Sequence, residues 1–127
     1  LLILTGCFRN KSTFDHNGSI EKHGKPIKVE YFKHITSKAF QYSDTATFVI
    51  IDQSELKTVI NEIKYANNPE HWKGAGWDRI KITYIDTILN IYTDKTKIGM
   101  SASGIFYTLN KQNFIVRRIE QKYNGSS

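Results

Sequence analysis

With 127 residues the chain has room for one domain. Its 39% hydrophobic and 24% charged residues are those of a folded protein, which excludes a disordered one. The net charge of +6 is uneven: residues 1–43 carry seven Lys/Arg against three acids, residues 44–127 eleven against nine, so the remainder is too weakly basic to suggest a nucleic-acid partner.

The chain opens on an apolar run, Leu1-Leu2-Ile3-Leu4, that stops at Thr5-Gly6-Cys7, and Cys7 is the only cysteine. One reading is a buried first strand with Cys7 as a small core residue. The other is the end of a secretory signal, an apolar stretch followed by small residues at a cleavage site. Residues 8–25 are polar, contain Asn17-Gly18-Ser19 and His23-Gly24, and offer no hairpin to return a strand, which favours the second. Leu4-Thr5-Gly6-Cys7 resembles the lipobox of bacterial lipoprotein signal peptides. The resemblance implies removal of residues 1–6 and lipid on the sulfur and new α-amine of Cys7, with acyl chains such as palmitate. It also implies a mature chain anchored to a membrane of the cell envelope. Phe8 stands where an aspartate would mark inner-membrane retention, so the outer membrane is implied in a double-membraned cell.

A single cysteine forms no internal disulfide, so the domain depends on its core. Residues 7–25 read as lipidated Cys7 and a flexible basic tether, and residues 26–124 as one globular domain. The tether's cations either favour an anionic leaflet, at about 1 kcal/mol each, or simply keep the leader soluble.

After Pro26, Ile27, Val29, Tyr31 and Ile35 alternate with Lys28, Glu30 and His34, which predicts a strand, with Phe32 and Lys33 breaking the pattern. Ser43-Asp44 marks a turn, and Ala46 to Ile51 a short apolar strand. Asp52 then caps a helix over about 52–66, with Glu55 completing a capping box. Leu56, Val59, Ile60 and Ile63 form its buried face, and Asn67-Asn68-Pro69 ends it. A loop, 69–78, leads to a meander. Its strands are Ile80 to Tyr84, Ile88 to Thr93, Ile98 to Ala102 and Ile105 to Leu109, joined by turns at Asp86-Thr87, 94–97 and Ser103-Gly104.

The last segment has two readings. Phe114, Val116 and Arg118 alternate as a strand would. As a helix over about 110–123, Asn110 caps, Leu109 and Phe114 form a hydrophobic staple, Ile115, Ile119 and Tyr123 share a face, and Gly125 suits its C-terminal end. The helix is preferred.

The order β-β-α-β-β-β-β-α predicts a two-layer α+β domain, the main helix packed on a mostly antiparallel meander sheet. Phe48 to Asp52, running from a strand into a helix, and Tyr107-Thr108-Leu109, leading to a closing helix, resemble the pattern of a loose group of small bacterial lipoproteins. The likeness covers roughly residues 45–123 and brings no catalytic residue.

Reactive constellations are not evident in the sequence. His16, His23, His34 and His71 form neither an HxH nor an HExxH pair, so no metal is expected. Ser101-Ala102-Ser103-Gly104 is not a nucleophile elbow, and Gly74-Ala75-Gly76 is too short to cradle phosphate. Glu70 and Asp78 bracket one loop, as a glycosidase pair could, but read better as solvated charges. No catalytic residue, cofactor or enzyme activity is expected.

The unusual composition lies in Pro69 to Asp78, where both tryptophans, Trp72 and Trp77, flank two glycines beside His71, Lys73 and Arg79. Large rings next to cations suit recognition; they equally suit a lid on the open end of a small core. Tyr84, Tyr92 and Tyr107 are weaker candidates for exposed contact residues, on a sheet with at most one face covered by helices. The expectation is a non-catalytic, lipid-anchored envelope protein that binds a protein or envelope partner, as an inhibitor, immunity or exclusion factor does. A structural or assembly accessory of an envelope complex is the alternative, and an envelope hydrolase the third.

Overall fold

The computed structural model describes residues 13–35, 41–72, 77–94, 96–101 and 103–124. Seven antiparallel strands form one sheet: β1 Lys28–Phe32, β2 Phe48–Ile50, β3 Asn67–Trp72, β4 Asp78–Thr83, β5 Ile88–Asp94, β6 Lys97–Gly99 and β7 Gly104–Thr108. Their order across the sheet is β2-β1-β4-β5-β6-β7-β3. Two helices, α1 Gln53–Lys64 and α2 Phe114–Asn124, complete the α+β fold.

Strand alternation divides the side chains between two faces. Val29 and Tyr31 on β1 meet Ile82 and Ile80 on β4, which meet Leu89 and Ile91 on β5. Ile98 and Tyr107 continue this face. The same residues pack with Leu56, Val59, Ile60 and Ile63 of α1 and Ile115, Val116 and Ile119 of α2 in one core. Both helices therefore lie on one face, and the other is free of helix. Tyr84 and Tyr107 are buried in this core rather than exposed as contact residues.

The Asp52 carboxylate accepts the Glu55 N–H at 3.0 Å, which is the N-cap half of the expected box. The second helix differs from expectation. Asn110 forms a turn, its Oδ1 accepting from the Gln112 N–H, and α2 begins only at Phe114. Its first amides are held by a residue of the other helix: Glu62 accepts from the N–H groups of Phe114 at 2.7 Å and Ile115 at 3.0 Å. A carboxylate there satisfies orphan donors and suits the positive end of the helix.

Two expectations are corrected by long-range packing. Residues 13–25 are not a tether. Phe14 and Ile20 are buried in the core. The N–H groups of Phe14 and Asp15 donate to the carbonyls of Ala66 and Lys64. The Asp15 carboxylate accepts from Ile20 and Glu21, ordering a turn that ends in a short 3₁₀ helix, Glu21–His23. Residues 1–12, including Cys7, lie outside the described residues.

The second correction concerns the segment after α1. Asn67–Trp72 is not loop but edge strand β3, paired with β7. Asn68 takes φ 57° and the register shifts between Asn67 and Glu70, a bulge that accommodates Pro69 at a sheet edge.

Candidate functional site

Cross-strand register builds a row of side chains over the helix-free face. Phe32, Arg79, Tyr92, Gly99, Phe106 and Glu70 are successive partners on β1, β4, β5, β6, β7 and β3. A Cβ at position 99 would meet three atoms of the Phe106 ring at 2.9 Å, so Gly99 is what allows that ring to lie on the sheet. Trp77, immediately before β4, stacks on Phe106 with centroids 4.4 Å apart and an interplanar angle of 21°. Trp72, on β3, meets Trp77 edge to face at 6.2 Å. The edge-to-face pair lies within the range of attractive aromatic geometry, and the stacked pair at its short limit.

Polar groups fix the outer ring. Glu70 accepts from Trp72 Nε1 at 3.2 Å and from Lys97 Nζ at 2.9 Å. Lys97 lies 5.2 Å from the Trp72 centroid and also donates to Thr108 Oγ1. These bonds from Lys97 and then Trp72 hold the Glu70 carboxyl below its usual range. Toward β1, the Arg79 guanidinium lies 4.9 Å from the Phe32 centroid and 4.7 Å from that of Tyr42. Its Nε is buried without a hydrogen-bond partner. Burial pushes the Tyr42 phenol up, as does the neighbouring Tyr92, against the opposing charge of Arg79.

The expected residues thus fall unevenly. Trp72 and Trp77 come together, and Arg79 shares their face but packs on Phe32 and Tyr42. His71 points away from them by strand alternation and is exposed at the edge. Lys73 and the glycines beside it lie outside the described residues. Trp77, only 7% exposed, belongs to a second aromatic cluster on the outer face and not to the main core. It supports Trp72, which is half-buried and accessible.

Glu70 and Asp78 are not a pair. Asp78 lies on the core face and is buried, accepting from the Tyr31 hydroxyl at 2.5 Å and the His34 N–H at 2.9 Å. Glu70 lies on the opposite face, so no substrate bond could fit between them. Ser101 donates to the Ser103 carbonyl in a turn. Among the described residues, no group of three or more His, Cys, Asp or Glu is placed to hold a metal ion. No helix among them is long and apolar enough to cross a membrane.

Sequence reasoning missed Lys97, Phe106, Gly99 and Tyr42. The Lys97-x-Gly99 and Phe106-x-Thr108 alternation signals strands, but which strand neighbours β3 depends on pairing between residues as distant in the chain as Asn67 and Thr108. Comparison with protein-family models, curated proteins and solved structures found no match.

Proposed function

We propose that this chain is a non-catalytic, lipid-anchored protein of the bacterial cell envelope that binds a protein partner through the helix-free face of its sheet. The carrying observation is the Trp77–Phe106 stack, which supports Trp72 beside Lys97, with Arg79 over Phe32 further along the same face. Large rigid rings supply contact area at little entropic cost, and neighbouring cations supply orientation and charge selectivity. The anchor reading is supported by Leu4-Thr5-Gly6-Cys7.

An inhibitor or immunity role fits a face that is pre-organised by stacking and hydrogen bonds, because a rigid surface loses little freedom on binding. An assembly accessory is the alternative, and it would co-purify constitutively with one complex. Mass spectrometry of the protein purified from a bacterial envelope tests the anchor. Lipid on an N-terminal Cys7 is expected, and unmodified Cys7 still joined to Gly6 would refute it. Affinity capture compared between wild type and Trp72→Ala tests the binding face.

A further inference from the structure

The helix-free face carries one cation that its own acids leave unanswered. Arg79 stands on β4 between Phe32 of β1 and Tyr92 of β5. Its guanidinium rests against the rings of Phe32 and Tyr42 and makes no hydrogen bond or ion pair with any described residue. Nε is buried without an acceptor, which is costly for a charged group. The side chain as a whole is half-buried, and its terminal nitrogens stay accessible to an acceptor from outside.

The acids around it are placed elsewhere. Glu70 accepts from Lys97 and Trp72, and Glu30 lies 3.7 Å from Lys28 Nζ, in register with Lys81. Asp94, exposed at the end of β5, pairs in register with Lys97. Asp78 precedes Arg79 in sequence, but strand alternation turns it to the core face, where Tyr31 and His34 donate to it.

We propose that Arg79 is the receptor for a carboxylate of the protein partner, a Glu or Asp side chain that its guanidinium clasps while Phe32 and Tyr42 hold it in place. This rests on the helix-free face being the binding face, and it names the chemistry that the partner brings. The planar fork of an arginine matches the two oxygens of a carboxylate, and Arg is enriched at the energetic centres of protein interfaces. The rings keep water from the pair, which strengthens a charge-assisted bond. Phosphate recognition uses clusters of cations, whereas Arg79 is the lone arginine of this face among the described residues. The position also fits. Arg79 stands four strand spacings from Glu70 in one row, about 19 Å at ordinary spacing. One contact patch of roughly 800 Å² reaches both Arg79 and Trp72. The partner therefore sets an acidic residue about that far from its seat for Trp72.

The test is a side-chain NMR titration of the full 127-residue chain carrying Cys7→Ser. N-acetylglutamate N-methylamide supplies the carboxylate, N-acetylglutamine N-methylamide the uncharged match, and inorganic phosphate the other oxyanion. The Nε–Hε signal of Arg79 should move saturably with the glutamate probe. Its half-saturating concentration should be at least about tenfold below that of exposed Arg117 in the same spectra. The glutamine probe should leave it in place. An Arg79 signal that responds no more than that of Arg117 overturns the proposal. Half-saturation by phosphate at least about tenfold below the glutamate probe does so too, assigning the guanidinium to a phosphate ligand. Against the partner obtained by affinity capture, Arg79→Gln should weaken binding at least about tenfold, and Arg79→Lys, which keeps the charge without the fork, should recover only part of it. If Arg79→Gln binds as wild type does while Trp72→Ala is weakened, the carboxylate receptor is refuted and the binding face stands. Indifference to both substitutions refutes the face itself.

Discussion

The ring of Phe106 lies directly over the α-carbon of Gly99 on the neighbouring strand, where any side chain would meet it at 2.9 Å. On this contact rests the whole outer aromatic stack, since Trp77 lies on Phe106 and Trp72 on the edge of Trp77.

Gly99→Ala should therefore displace Phe106 and disorder the tryptophans. Overpacking of this kind costs about 1–3 kcal/mol. The near-ultraviolet circular dichroism of the tryptophans should change along with the fall in Tm. In a double-mutant cycle, Phe106→Ala should absorb much of the Gly99→Ala cost. Strict additivity would mean that the two positions do not act through one contact.

The segment from Thr13 to Lys25 is expected to behave as part of the domain. Ile20→Ala should cost about 2–5 kcal/mol and Phe14→Ala about 3–5 kcal/mol, the range for core truncations. Denaturant unfolding measures both. Values near zero would return these residues to the tether that composition alone suggests.

Glu62 holds two first-turn amides of α2 from the neighbouring helix. Glu62→Ala should cost about 1–2 kcal/mol, the upper part of the capping range, and speed hydrogen exchange of α2. Glu62→Gln, which keeps an acceptor, should lose less.

Tyr84 links stability to alkaline pH. Burial, then the charges of Asp15 and Asp86, push its phenol up to about 12 from an ordinary 10.0. The folded state therefore keeps the proton between pH 10 and 12 while the unfolded chain has lost it. The contribution is fully present below pH 10 and is lost as pH rises toward 12. Two pH units correspond to roughly 2–3 kcal/mol. Tyr84→Phe should flatten this part of the stability profile. At neutral pH the change should be near neutral, because the Tyr84 hydroxyl is buried without a hydrogen-bond partner.

Local patterns made much of the fold legible. The Asp52–Glu55 cap and the spacing of Leu56, Val59, Ile60 and Ile63 define α1, and alternation from Ile80 to Thr93 defines the central hairpin. What escaped depends on distant partners. Asn67–Trp72 has little strand propensity and is a strand because β7 lies beside it. Polar residues 13–25 fold because the two apolar residues among them, Phe14 and Ile20, find the core. The start of α2 is decided by Glu62, some fifty residues earlier in the chain. For the site, the pairing of Trp72 with Trp77 was visible in composition; the contributions of Lys97 and Phe106 needed the sheet order.

The central claim is that the face bearing Trp72 grips a protein partner. The most direct measurement is affinity capture from envelope extract with the full Cys7→Ser chain, followed by titration of the captured protein against wild type, Trp72→Ala and Lys57→Ala, the last on the helical side. The account expects Trp72→Ala to weaken binding at least about thirtyfold, a hot-spot loss of about 2 kcal/mol, while Lys57→Ala binds as wild type does. Equal affinity for wild type and Trp72→Ala would contradict it.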